Sequence, residues 1–237
     1  MNNLFLASVW QNIGTIFTTG KYIETLFYGL KITLIVSLGA GVLGLVLGIL
    51  VALVKISNSK SKWMIIPRAI CNFYVTVIRG TPMALQLFIM AFVVFVIRGF
   101  PLEVTAIIAF GINSGAYVAE SIRAGILSVD YGQTEAGRAI GLSAKTTMMR
   151  IVIPQAIKNV IPAIGNEFIA LIKETSIVSM IGMYDLTMAS KIIGGGNELA
   201  SYLAPMLVVA MFYLAIVYLL TFAIKMIERR LRQSDKR

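Results

Sequence analysis

Histidine is absent from this 237-residue chain, cysteine occurs once, as Cys71, and charged residues make up only 14%. Without a second thiol no internal disulfide can form, and the usual zinc and haem ligand sets are missing. The composition therefore argues against metal chemistry. Charge at roughly half the level of a soluble domain argues equally against a water-soluble globule. What the chain has instead is apolar surface, 58% of its residues. A chain of this kind is counted in spans of ~20 residues, and four to six crossings fit.

The net charge of +10 does not read as a nucleic-acid module, which would cluster Lys and Arg on a soluble fold with exposed aromatics. Residues 1–20 hold no Lys or Arg, so the basic region of a cleavable signal peptide is missing and the segment is expected to be retained. An uncharged run of 23 residues, 32–54, gives the clearest span. Within it Ala40, Gly44, Gly48 and Ala52 recur every fourth residue, placing small side chains on one face for close helix packing. Further spans are expected at 69–97, 104–122, 161–181 and 202–224. The second is interrupted by Arg79-Gly80-Thr81-Pro82, which implies a kink or break.

If the chain starts outside and crosses five times, 15 cations fall on the inner side: Lys55, Lys60, Lys62, Arg68, Arg123, Arg138, Lys145, Arg150, Lys158, Lys225, Arg229, Arg230, Arg232, Lys236 and Arg237. Only Lys21, Lys31, Arg98 and Lys191 fall outside. That asymmetry places the N-terminus outside and the C-terminus in the cytoplasm. The basic tail suits anchoring at anionic membrane lipids. Trp10 and Trp63 suit the membrane interfaces, and Gly194-Gly195-Gly196 suits an outer loop.

An ionisable group in a bilayer core costs at least ~2.5 kcal/mol, so acids within spans tend to line a path. Glu167 and Glu174 are seven residues apart, two helical turns, and share a face. Asn113, Tyr117 and Glu120 fall at i, i+4 and i+7, a second polar stripe. Two such stripes can bracket a zwitterion. The plainer alternative is that the acids only satisfy neighbours, Lys173 beside Glu174 and Arg123 three residues after Glu120. Arg79 divides in the same way, between receiving a substrate carboxylate and fixing the broken span. No catalytic reading survives, since a nucleophile such as Ser143 or Cys71 has no histidine base to activate it. Residues 141–146 lack the order of a phosphate-binding loop, so the chain carries no ATPase motif there.

Between the third and fourth expected spans lies a polar stretch, 123–158. It contains Glu135-Ala136-Gly137, then Gly141 six residues after the Glu, then Ile151-Val152-Ile153-Pro154. Thr134 and Glu135 are suited to cap and charge a short helix, Gly141 to turn the chain, and Pro154 to reset it. The spacing resembles the cytoplasmic signature of ATP-binding-cassette importer permeases, Glu-Ala-Ala, a later Gly and Ile-x-Leu-Pro. It departs from that signature at Gly137 and Ile153. Further matching segments are Arg79-Gly80-Thr81-Pro82 with Gln86-Leu87-Phe88, Asn113-Ser114-Gly115-Ala116-Tyr117 with Glu120, Gly141-Leu142-Ser143, Pro154-Gln155-Ala156, and Asn166-Glu167-Phe168 leading to Lys173-Glu174-Thr175-Ser176. Together they resemble the polar amino acid permeases for histidine, glutamine, glutamate, arginine and cystine, over nearly all of residues 22–225.

The resemblance implies an all-α type I importer permease fold with about five membrane helices, a bacterial cell-membrane location and no enzyme activity. Its parts would be an extracytoplasmic segment 1–25, a membrane domain 26–225 and a cytoplasmic tail 226–237. A coupling helix near 133–147 would carry Glu135, Ala136, Gly137 and Gly141, with Ile151 and Pro154 after it completing the ATPase-coupling residues. Implied partners are an ATPase subunit holding ATP and magnesium, a second permease subunit and an extracytoplasmic solute-binding protein, with no cofactor in this chain and no nucleic acid. A stand-alone secondary transporter or channel would instead show inverted repeats with paired broken helices, and only one strong break is evident. A membrane scaffold without a transport role would not need the acids within its spans.

Overall fold

A computed structural model of the chain describes residues 2–57, 61–196 and 202–233, which are helical with no strand among them. Apolar runs in lipid must satisfy every backbone N–H and C=O internally, and a helix does so within one segment. Lys60, Lys236 and Arg237 lie outside the described residues.

Among the described residues ten helices follow in order: α1 (Asn2–Thr18), α2 (Gly20–Ile56), α3 (Ile65–Gly80), α4 (Met83–Ile89), α5 (Leu102–Leu127), α6 (Tyr131–Ala139), α7 (Ala144–Thr147), α8 (Ile153–Glu174), α9 (Leu186–Gly194) and α10 (Leu203–Gln233). A π turn, Met148–Val152, joins α7 to α8, and a 3-10 turn, Thr175–Ile181, extends α8. Segments Gly20–Ile56, Leu102–Leu127 and Leu203–Leu231 are long and apolar enough to cross a membrane. Two bent pairs, Lys62–Gly80 with Met83–Val94 and Ala144–Ile181 with Leu186–Gly194, raise the number to as many as five.

The uncharged run at 32–54 is only part of α2, which has 37 residues and a length of ~55 Å at ~1.5 Å per residue. It outreaches a hydrocarbon core of ~30 Å. The stretch before the run is also helical. Val9 and Ile16 of α1 share a buried cluster with Leu26 of α2, Leu186 and Ile193 of α9, and Val208 of α10.

Helix α5 is the centre of the bundle and packs against α2, α3, α4 and α8. The small-residue stripe does what its spacing implies. A Cβ on Gly48 would lie 2.5 Å from Val118 Cγ1, and one on Gly44 would lie 2.8 Å from the Ser114 Cβ. Ala40 and Ala52, on the same stripe, are buried.

At Thr81-Pro82 the chain turns by 109°, far more than a kink. Proline keeps Thr81 extended, at φ −122° and ψ 146°. The Gln86 Nε2 then donates to the Ile78 carbonyl (2.8 Å), the Thr81 carbonyl (3.1 Å) and the Thr81 hydroxyl (2.8 Å). That side chain replaces the helical bonds the break removes.

Candidate functional site

The polar stretch folds into a short, firmly terminated handle. Asp130 caps α6, its Oδ1 accepting from the Gly132 N–H at 2.9 Å. Thr134, expected at the cap, sits instead within the helix. At the far end Gly141 adopts φ +87°, a left-handed conformation that favours glycine. The Leu142 N–H bonds the Gly137 carbonyl and the Gly141 N–H the Arg138 carbonyl, both at 3.1 Å. This pair of bonds is the Schellman ending, and it satisfies the last carbonyls of α6.

Gly137 is the buried face of the handle. A Cβ there would lie 2.7 Å from Thr147 Cγ2 and 3.1 Å from Ile151 Cδ1. Gln155 Nε2 reaches across to Gln133 Oε1 at 3.4 Å. The other face stays open: Glu135 and Ala136 are exposed, with Tyr131 at 72% and Ile140 at 77%. Pro154 does not reset the chain as the sequence suggests. The Ile153 N–H bonds the Met148 carbonyl, five residues back, and the rod runs on through the wide turn into α8.

Within the bundle the predicted polar residues divide. Asn113 is buried and donates its amide to Gln86 Oε1 at 3.0 Å, bracing the 81–82 turn. The Arg79 guanidinium lies 5.2 Å from the centre of the Tyr117 ring, within cation–π range. Glu120 takes a two-pronged contact from Arg123, at 2.5 and 3.0 Å to Oε1, and a salt bridge from Lys55 at 3.5 Å. All three residues of the α5 stripe thus have protein partners, and Glu120 ties α2 to α5.

The α8 acids differ. Glu167 and Glu174 are half-buried and, among the described residues, neither carboxylate has a hydrogen bond or salt bridge. Glu167 lines a cleft of about 220 Å³ between α2, α5 and α8, with Gly41, Leu45, Ser114, Val118 and Phe168. Ser114, next to Asn113, thus lines the same cleft as Glu167, with its side chain against Gly44 of α2. The i, i+4 and i+7 spacing of the polar stripe runs through Asn113 and passes this neighbour by.

One buried acid escaped the sequence reading. Asp185 is fully buried, accepts from the Met188 N–H at 2.7 Å and receives the Tyr213 hydroxyl at 3.5 Å. The adjacent Leu186 N–H donates to the Thr33 hydroxyl at 3.1 Å, so this knot pins α9 to α2 and α10. The glycine triplet closes α9 tightly, with a Cβ on Gly194 falling 2.6 Å from the Tyr202 ring.

Buried acids between apolar helices, together with an exposed handle packed against a membrane-length rod, define a polytopic membrane protein of the transport class. Residues 44–233 match the family of binding-protein-dependent transport system inner membrane components, and the chain belongs to that family. It is a permease subunit and not an enzyme. It is 40% identical to the arginine transport system permease protein ArtQ of Bacillus subtilis, covering 87% of this chain and 92% of that one. It is 39% identical to a putative glutamine transport system permease protein GlnP of Rickettsia conorii, covering 89% and 96%. A crystal structure of an amino acid ABC transporter with histidines superposes with a TM-score of 0.81 at 37% identity, covering 91% of this chain and 98% of that one.

Proposed function

We propose that this chain is the membrane subunit of an ATP-driven importer for a polar amino acid in a bacterial cytoplasmic membrane. It crosses five times from an outside N-terminus to a cytoplasmic C-terminus, counting each bent pair as one span. The positive-inside distribution of Lys and Arg supports this orientation. Helix α6, the first part of the expected 133–147 segment, is the coupling helix, docking through Tyr131, Glu135 and Ile140 into a cytoplasmic ATPase that holds ATP and magnesium. A second permease subunit and an extracytoplasmic solute-binding protein complete the assembly.

The observation that carries the reading is the continuity of Ala144–Ile181 as one helical path. From Ile151, against which Gly137 packs, it is 16 residues to Glu167, or ~24 Å along the axis. A displacement of α6 therefore moves the helix that carries the unpaired carboxylate. Glu167, with Glu174 above it, receives the α-ammonium or a cationic side chain of the amino acid, and Ser114 supplies a hydroxyl. Relatives named for arginine and glutamine transport support a polar amino acid cargo.

The test is uptake into proteoliposomes holding the complete complex. Wild-type uptake requires ATP; Glu135→Lys and Gly141→Asp retain ATP hydrolysis but lose its link to transport. Uptake at full rate without the ATPase would overturn the reading.

A further inference from the structure

Below the Glu167 cleft, toward the end of the bundle that carries α6, the α2–α5–α8 groove widens into a cavity of about 580 Å³. Leu53 and Ile56 of α2, Ile122 and Ile126 of α5, and Met148 and Ile157 of the rod form much of its wall. The wall is open: Leu53 is 63% exposed, Met149 57% and Ile157 45%. Of the lining residues only Ser57 and Lys145 are polar, and none is acidic. Both stand at the same end, where α2 stops and the rod begins. Lys145 is exposed and makes no salt bridge among the described residues. Beside it the Ser57 carbonyl accepts from the Arg68 guanidinium. Lys55, by contrast, is taken by Glu120.

An aliphatic trough ending in a free ammonium and a neighbouring guanidinium is complementary to a ligand with an apolar tail and an anionic head. A groove open at membrane depth meets acyl chains rather than water, and basic pockets between helices on the cytoplasmic side receive anionic headgroups. We propose that this groove is a binding site for one anionic phospholipid of the inner leaflet. One acyl chain lies between α2 and α8, and the phosphate sits on Lys145 within the field of Arg68. The inference rests on the orientation given under Proposed function.

The test is lipid titration of the complete transporter, purified in neutral detergent and followed by native mass spectrometry with phosphatidylglycerol or phosphatidylcholine. Wild type binds phosphatidylglycerol in preference to phosphatidylcholine. Lys145→Gln weakens phosphatidylglycerol about fivefold, the equivalent of ~1 kcal/mol per surface cation, and Lys145→Arg restores it. Ile157→Trp, which narrows the trough, weakens both lipids. Equal phosphatidylglycerol binding by wild type and Lys145→Gln overturns the proposal. So does a disulfide between two permease chains carrying Ile157→Cys on a Cys71→Ser background, because a second copy would then fill the groove. If uptake remains ATP-dependent while lipid binding ignores Lys145, the lipid site falls and the transport reading stands; ATP-independent uptake fells the transport reading by itself.

Discussion

Gly137 and Thr147 are packed so closely that a methyl group on the glycine would sit 2.7 Å from the threonine Cγ2. The family signature resembled in the sequence has alanine at this position, and here the volume is supplied from the opposite side, by a fully buried threonine. The two residues are therefore expected to be coupled. Gly137→Ala alone overpacks the contact and lowers stability by about 1–3 kcal/mol. Combined with Thr147→Ala it is tolerated, and the double-mutant cycle shows an interaction of at least ~0.5 kcal/mol. Thermal unfolding of the purified complex measures the stability. The ratio of amino acid imported to ATP hydrolysed shows whether the handle still transmits. Additive effects would show that the handle shifts freely on the rod.

The turn at Gly141 makes a sharper prediction, because its φ of +87° penalises any residue with a Cβ. Gly141→Ala is expected to destabilise the complex by about 1 kcal/mol. Gly141→Asn is expected to retain more of the coupling, since asparagine tolerates the left-handed conformation better. ATP hydrolysis without matching uptake in the alanine variant, partly repaired in the asparagine variant, is the expected pattern. Equal behaviour of the two would show that the Schellman ending does not set the handle's position.

How far the fold was legible depended on the range of the interactions involved. The long apolar runs and the small-residue stripe of α2 act within one helix, and both were readable. The Glu120 to Arg123 pair, three residues apart, was readable too, but Lys55 is 65 positions away in sequence and only the folded bundle brings it to 3.5 Å. The 81–82 break was visible from proline and glycine, while its 109° angle depends on where the Gln86 amide goes. The Asp130 cap lies four residues ahead of Thr134, outside the motif whose spacing marks this helix in the sequence. Asp185 was the plainest omission. A buried charge is as costly at 185 as at 167, and an Asp shortly before an apolar helix is a capping signal.

Asp185→Ala removes the N-cap of α9, leaves the Met188 N–H without its acceptor and leaves the Tyr213 hydroxyl with Thr187 in place of Asp185. A lost cap contributes about 1 kcal/mol and a stranded buried donor about 1–3 kcal/mol. The midpoint of thermal unfolding should fall clearly below that of wild type. Asp185→Asn, which keeps an accepting oxygen for Met188, should recover most of the loss. A wild-type midpoint for the alanine variant would mean that α9 is held by its apolar contacts alone.

Glu167 and Glu120 should separate transport from stability in opposite directions. Glu120 holds Arg123 and Lys55, so Glu120→Gln weakens the junction of α2 and α5 and lowers the unfolding midpoint. Partial exposure limits the effect to about 1–2 kcal/mol, well short of the loss of a fully buried pair. Glu167 has no such partner among the described residues, and its half-buried charge is a burden on the empty bundle. Glu167→Gln is therefore expected to leave the midpoint unchanged or raise it slightly. Uptake by the same variant should fall at least about tenfold, the loss of a charge-assisted contact of ~1.5–3 kcal/mol. Measured side by side in one reconstituted complex, a fall in stability for Glu167→Gln with normal uptake would reassign Glu167 to structure and remove the cleft from the transport path.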